Sequence, residues 1–419
     1  MSMRGESRCR CGEEPTGRTQ VRYFLTEVMC RLRRGWNPSQ LELNLRQADL
    51  YFEDVRLHHP LDVMRGSYLM PLVTLRTPSC GWSRTSGCTM CGYFLGSTGQ
   101  RTTSPEELVE QTRWAIHRLD PRIYHTLVFT SNGSFLDPAE IPDAVRPELL
   151  RLLFGAGFRF IVVETRPGFV TSERLDAMLD VVPAIASGRD ERSLSFSLGA
   201  ESCSDFILSA CVNKGIRARN LTESADLIRR KGFSLDCYVL LGKPFLSARE
   251  DVQDALETIR WAQKMGADYL FVMVTNRVAY SLVDHLISQG RHSLTNLWRA
   301  VFLLEMLPEE LRRLVQIKGI NHAPYPPKDY ATTCPVCHDR VVQGINFWNQ
   351  TGDFKHILEL PNCPCRKQFE MGEWAEISDR LLPQRIHAAY GHLAKDLGMA
   401  SHSIPELPEL ERLWQEGNS

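Results

Sequence analysis

The feature that most constrains this chain is a recurring alternation of two patterns. Short apolar runs return at 70–77 (MPLVTLRT), 125–134 (HTLVFTSNGS), 158–166 (FRFIVVETR), 193–201 (SLSFSLGAE), 233–242 (FSLDCYVLLG) and 268–276 (DYLFVMVTN). Helix-like segments lie between them, among them SPEELVEQTRWAIHRL (104–119) and AREDVQDALETIRWAQKMG (248–266). Ser104-Pro105 followed by acidic residues reads as a helix start, and Gly266 as a helix stop. Nearly continuous apolar strands alternating with helices predict an α/β fold, a parallel sheet covered by helices. An open doubly wound sheet and a full or partial barrel both satisfy the pattern. In either, polar residues at the strand C-termini face the active site. Those ends carry Ser131-Asn132-Gly133-Ser134, Glu164-Thr165-Arg166, Gly199-Ala200-Glu201 and Thr275-Asn276.

Outside this array the sequence is less regular. Residues 1–20 read as a polar tail, and 21–65 as helical from the spacing in VRYFLTEVMCRL. Beyond residue 325 Pro, Cys and His become frequent. The expected organisation is a tail and helical segment at 1–68, a βα barrel at 69–325, and a Cys-rich extension with helices at 326–419. With 43 % hydrophobic and 24 % charged residues, the 419-residue chain can build a large core, which excludes wholesale disorder. A formal net charge of -1 argues against a strongly basic nucleic-acid binder, although a local Arg groove stays open. No apolar run of about 18 residues offers a membrane span. The polar N-terminus lacks a secretory signal, so a cytoplasmic protein with no membrane partner is expected. In a reducing compartment, the 13 cysteines point to metal rather than to disulfides.

The loop after the first strand, TPSCGWSRTSGCTMCGYF, spaces Cys80, Cys88 and Cys91 as C-x7-C-x2-C. Four thiolates would close a [4Fe–4S] site, whereas three leave one iron open. Gly81, Gly87 and Gly92 give this loop the freedom to wrap a cluster. A three-Cys zinc site completed by a distant His is the alternative. A second group, Cys334-Pro-Val-Cys337 with Cys363-Pro-Cys365, has two pairs of thiols at chelating spacing. A closed zinc site is the preferred reading. A second Fe–S cluster and a substrate site for a thiophilic element such as arsenic are the others. His322 and His338 flank the first pair. Cys30, Cys203, Cys211 and Cys237 read as small hydrophobes in helices or strands, Cys9-Arg-Cys11 as inert in the tail, and Asn213-Lys214-Gly215 as a helix end and turn.

Three cysteines in the loop after the first strand of a βα array resemble the radical S-adenosylmethionine (SAM) enzymes. Most members space them C-x3-C-x2-C, so x7 is a departure. SGCTMCGY is similar to the radical SAM subunit of archaeosine synthase, within the Elp3/MiaB-like branch. FTSNGSFLDP (129–138), VVETRPGFVT (162–171), SLGAES (197–202), VNKG (212–215) and YVLLGKPFL (238–246) extend the likeness. The resemblance implies a partial TIM-type βα barrel with Cys80, Cys88 and Cys91 on a [4Fe–4S] cluster whose open iron chelates SAM. It places Gly133 and Ser134 at the methionine amino group. Glu164, Arg166, Glu201 and Asn276 stand at strand ends that meet SAM. Met90 takes the place usually held by an aromatic beside adenine, where its backbone can serve. No catalytic residue is assigned.

The expected function is reductive cleavage of SAM and radical modification of a small polar substrate. The cofactors are a [4Fe–4S] cluster and SAM, with Zn2+ in the extension, and an electron donor such as flavodoxin or ferredoxin is required. Family likeness also admits C–N cleavage of a 7-deazaguanine–lysine adduct in tRNA. Transfer of a 3-amino-3-carboxypropyl group from SAM to an acceptor such as arsenite stays open. A non-enzymatic zinc- or Fe–S-binding protein is the reading from another class.

Overall fold

The computed structural model describes residues 20–37, 43–54, 69–99, 101–182, 193–321, 325–376 and 378–417. Cys9, Cys11, the stretch 55–65 and His322 lie outside the described residues. One eight-stranded sheet runs in chain order: β1 (Asp49–Asp54), β2 (Leu69–Leu75), β3 (Thr126–Ser131), β4 (Phe160–Thr165), β5 (Ser193–Glu201), β6 (Ser234–Leu241), β7 (Tyr269–Val274) and β8 (Val315–Lys318). β1 pairs antiparallel with β2, and every later pair is parallel. The result is an α/β half-barrel, which decides between the architectures the alternation left open.

The described helices of seven residues or more are α1 (Gln20–Leu32), α2 (Pro105–Ile116), α3 (Arg146–Ala156), α4 (Ser172–Leu179), α5 (Ala218–Arg230), α6 (Ala248–Lys264), α7 (Leu282–Ser288), α8 (Trp298–Met306), α9 (His338–Thr351), α10 (Pro364–Met371), α11 (Leu382–Asp396) and α12 (Leu407–Gly417). α2 starts where the sequence said it should. The Ser104 hydroxyl accepts from the Glu107 N–H, and the Glu107 carboxylate accepts from the Ser104 N–H. α6 repeats the device with Ser247 and Glu250, and Gly266, at φ +84°, turns the chain after it.

Two expectations change. Among the described residues of 21–65 the helical reading holds for α1, whereas Asp49–Asp54 adds to the sheet edge as β1. Its sequence, DLYFED, is too short and too polar to announce a strand among helical residues. Cys203 stands in the bend after β5 rather than in a helix or strand.

Strand alternation divides the two faces of the sheet. Val73, Leu75, Phe129, Ile161 and Val163 join the main core with the helices. Met70, Leu72, Val128 and Val162 cluster on the opposite face. Cys337, Val341, Ile345, Trp348 and Cys363 belong to that same main core, so the residues after 325 pack with the sheet. A second apolar cluster joins α1 to the 206–212 segment, α11 and α12. At its centre Phe24 and Tyr390 lie 4.6 Å apart, and the Tyr390 hydroxyl donates to the Ala210 carbonyl at 2.6 Å. Among the described residues no helix is long and apolar enough to cross a membrane.

Side chains act at the two edge strands, β8 and β1. Asn349 of α9 acts as a ninth strand would: its Oδ1 accepts from the Ile317 N–H at 2.9 Å, and its Nδ2 donates to the Ile317 carbonyl at 2.6 Å. Lys318 of β8 pairs with Glu53 of β1 at 2.5 Å. Asn349 is buried, so removing its amide strands two backbone groups. The expected cost of Asn349→Ala is about 1–3 kcal/mol, measured as a lower midpoint in denaturant. An unchanged midpoint would mean that the edge of β8 is satisfied in another way.

Candidate functional site at the strand C-termini

A cleft enclosing about 1400 Å³, mouth included, opens at the C-terminal ends of the strands. Cys80, Cys88 and Cys91 all line it, and so do Met90, Gly133, Glu164, Arg166, Glu201 and Asn276. Ser134 does not. It is wholly buried behind the wall, where its hydroxyl meets that of Thr165 at 2.8 Å and accepts from the Arg166 N–H at 3.2 Å.

The cysteine loop is held by a segment that follows β5. The Asn213 amide donates to the Gly87 carbonyl at 2.8 Å and to the Ser86 hydroxyl at 2.9 Å. The Trp82 indole donates to the Asn213 carbonyl at 2.7 Å. Thr89 donates through its N–H to Val212 at 3.0 Å and through its hydroxyl to Cys211 at 2.8 Å. Asn213 reaches this position with φ +52°, which an Asn tolerates better than most residues. Gly215 is fixed by space: a Cβ there would stand 2.8 Å from the Trp82 ring. The VNKG segment therefore grips the cysteine loop, a role beyond the turn that its sequence suggests.

Gly133 also acts through space. A Cβ on it would lie 2.5 Å from Cα and Cβ of Cys80 and 2.4 Å from Glu140 Oε1. Glu140, which sequence reasoning missed, is buried under the loop. It accepts from the Ser134 N–H at 2.9 Å, the Ser131 hydroxyl at 2.8 Å and the Thr77 hydroxyl at 3.3 Å. Burial pushes its carboxyl up to about 8. Its only sequence signal is a carboxylate in the apolar FLDPAE turn.

The strand-end polar groups are largely paired with one another. Glu164 accepts from the Tyr238 hydroxyl at 2.7 Å and the Thr130 hydroxyl at 3.0 Å, and burial raises its pKa. Glu201 pairs with Lys214 at 2.7 Å. Burial opposes the Lys214 charge, and the Glu201 carboxylate together with the Cys88 sulfur more than restores it. A bulge between Gly199 and Glu201 and a φ of +63° at Glu201 interrupt the end of β5. A Cβ at Gly199 would crowd Lys214 Nζ at 2.6 Å. Arg166 donates to the Lys214 carbonyl at 2.9 Å. Asn276 is engaged at both ends of its amide, with Gly319 O and Ala331 N, each at 2.8 Å. Tyr93, Tyr238, Tyr325 and Glu53 also line the cleft and were not foreseen, since nothing in their spacing separates them from core aromatics or surface acids.

The donor set fits a cluster with an open metal. Three thiols reach one cleft. Burial pushes the Cys91 thiol up to about 12 and raises that of Cys80, and a bound metal would offset what burial costs the thiolates. Gly133 keeps clear the space beside Cys80 that a side chain would fill.

The second cysteine group is also assembled. The Sγ atoms of Cys334, Cys337, Cys363 and Cys365 all lie within 4.8 Å of one another, the tightest group of candidate metal ligands among the described residues. Contacts of 3.6 Å (Cys334–Cys337), 3.5 Å (Cys334–Cys363) and 3.4 Å (Cys337–Cys365) frame it. The Trp298 indole donates to Cys365 Sγ at 3.2 Å. His338 stands outside the group, its Nδ1 against the Thr332 hydroxyl at 3.3 Å.

No family model matches the chain. It is similar to archaeosine synthase subunit beta of Methanosarcina acetivorans, 24 % identical over 301 residues, covering 70 % of this chain and 82 % of the relative. The protein of the same name from Thermococcus kodakarensis is 25 % identical over 292 residues, covering 67 % and 85 %. Among solved structures, Elp3 of Methanocaldococcus infernus covers 52 % of this chain and 55 % of its own at TM-score 0.40 and 16 % identity. HydG, a maturase of the [FeFe]-hydrogenase, covers 95 % and 93 % at TM-score 0.41 and 12 % identity.

The clash at Gly133 makes a prediction. Gly133→Ala should lose about 1–3 kcal/mol through overpacking. Gly155 has nothing within 4 Å of the same added atom, and Gly155→Ala within α3 should be neutral or slightly stabilising. Thermal unfolding of the two variants side by side measures the difference, and equal midpoints would remove the spatial argument. The likeness expected from SGCTMCGY and the downstream segments is borne out: over about two thirds of its length or more, this chain resembles archaeosine synthase subunit beta.

Proposed function

We propose that the chain is a radical SAM enzyme. The observation that carries this reading is the delivery of Cys80, Cys88 and Cys91, from one clamped loop, into a cleft at the strand C-termini. When bound there, a [4Fe–4S] cluster with SAM supplies one-electron cleavage of a C–S bond and hence a carbon radical. Cys80, Cys88 and Cys91 hold the cluster, and Gly133 leaves room beside Cys80. Glu201, Lys214, Arg166 and the Met90 backbone face SAM, and the electron comes from a donor such as flavodoxin or ferredoxin. The substrate in this reading is a small polar molecule bound over the cluster, which a net charge of -1 supports.

The similarity to archaeosine synthase subunit beta favours a second reading: C–N cleavage on a 7-deazaguanine–lysine adduct in tRNA, with a companion subunit. The two readings differ in what they ask of the surface. A tRNA ligand held through several phosphates loses affinity with salt at a log–log slope of about -0.7 to -0.9 per contact. We expect no such binding across a salt series. Submicromolar, salt-dependent tRNA binding would establish the second reading in place of the first.

Cys334, Cys337, Cys363 and Cys365 form the proposed zinc site. Zinc–sulfur bonds of about 2.3 Å at tetrahedral angles set sulfurs about 3.8 Å apart, close to the contacts in this group, whereas a four-iron cube needs its thiolates further apart. The test covers both metals in the full chain, reconstituted anaerobically. Cys88→Ala should lose the Fe–S absorbance and all SAM cleavage while keeping one zinc. Cys337→Ser should lose the zinc and thermal stability while keeping the Fe–S absorbance. SAM cleavage surviving in Cys88→Ala would overturn the enzyme reading. The product identifies the chemistry, since 5′-deoxyadenosine and 5′-methylthioadenosine report different C–S bonds.

A further inference from the structure

Arg33, just beyond the end of α1, reaches under the cysteine loop. Its Nη1 donates to the carbonyls of Ser83 at 2.7 Å and Ser86 at 3.3 Å, both between Cys80 and Cys88. Its guanidinium carbon lies 4.1 Å from the centroid of the Phe94 ring. Gly87, beside Cys88, makes the space: at φ +103°, a Cβ there would stand 2.2 Å from Nη1 and 2.6 Å from Nη2. Nε and Nη2 are shielded from solvent and have no hydrogen-bond partner among the described residues. No described carboxylate lies within ion-pair reach of this guanidinium. A buried cation without an anion is costly and is retained where a negative group compensates it. The groups able to supply that charge are the neighbouring thiols, once deprotonated. Burial opposes the Arg33 charge, while Cys91, Cys88, Cys30 and Cys80 support it.

We infer that Arg33 is a positioning residue for the electron that the cluster accepts, holding the reduced state through its charge. The inference rests on the [4Fe–4S] reading of Cys80, Cys88 and Cys91. Three thiolates make a cluster net negative, and a one-electron reduction makes it more so, with no bond broken and no proton moved. A fixed cation beside the loop favours that state, because net charge and hydrogen bonding set the reduction potentials of such clusters. The residue follows directly on the helix that the second apolar cluster ties to α11 and α12.

The experiment is a dithionite titration of the anaerobically reconstituted full chain, followed by electron paramagnetic resonance, with iron counted in each sample. Arg33→Gln keeps a donor for the Ser83 carbonyl and removes the charge. Its ratio of reduced to oxidised cluster at fixed potential should fall at least tenfold, about 59 mV for a one-electron couple. Arg33→Lys should stay within threefold of the unaltered chain. A fully loaded Arg33→Gln that titrates like the unaltered chain overturns the inference. So does an Arg33→Lys shifted as far as Arg33→Gln, which would assign the effect to packing. If Arg33→Gln does not hold iron, Arg33→Met is read by the same criterion, and iron loss in both assigns Arg33 to holding the loop alone. An unaltered chain without iron would instead be the failure of the cluster reading.

Discussion

The candidate site depends on a clamp made by backbone. A loop of 12 residues from Cys80 to Cys91 has too little regular structure to fix three thiols by itself. It is held by hydrogen bonds to Cys211, Val212 and Asn213, a segment that lies 120 residues or more away in sequence. Each of these bonds contributes about 1 kcal/mol net, but together they remove the rotational freedom that would scatter the cysteines. The segment can do this because it leaves β5 through a bulge and two positive-φ residues, Glu201 and Asn213. Such backbone is unfavourable alone and persists where its surroundings over-determine it.

A second dependency runs through the open side of the half-barrel. A parallel sheet that stops at β8 exposes N–H and C=O groups, and these cannot remain unpaired inside the protein. Asn349 satisfies those of Ile317 from α9, whose N-cap is Cys337 of the four-thiol group. The thiols also fix Trp298 of α8 through Cys365. The C-terminal residues thus complete the sheet rather than decorate it. They also carry Tyr325 to the cleft, where its ring meets Tyr93 edge-on at 5.2 Å.

How much was legible follows from the range of each interaction. The strands from β2 to β7 could be read because each is an apolar run buried on both faces. β8 escaped notice because VQIK is four residues long with two polar side chains, and its pairing is decided by β7 and Asn349. β1 escaped because only the partner strand gives DLYFED a reason to extend. The cleft cysteines stood out because all three fall close together in one Gly-rich loop. Glu140 and the gripping role of Asn213 were not, since a buried acceptor and a backbone clamp leave no periodicity. Gly133 was singled out as a contact for a ligand's ammonium group, and its clear structural role is the absence of a side chain against Cys80.

Lone pairs decide which cleft residues remain able to recognise a ligand. A carboxylate offers about four acceptor positions. Glu164 uses two, on Tyr238 and Thr130. Glu201 meets Lys214 at one oxygen, so it keeps the greater capacity to accept from a hydroxyl or an ammonium. Asn276 has one bond at each end of its amide, and both serve to join the end of β7 to Gly319 and Ala331. By this count Glu201 and Lys214 form the polar pair most available to an incoming molecule, and Asn276 supports the wall behind it. The distinction arises from the bulge at the end of β5. A regular strand would continue the alternation of faces through Glu201, whereas the extra residue re-aims its side chain.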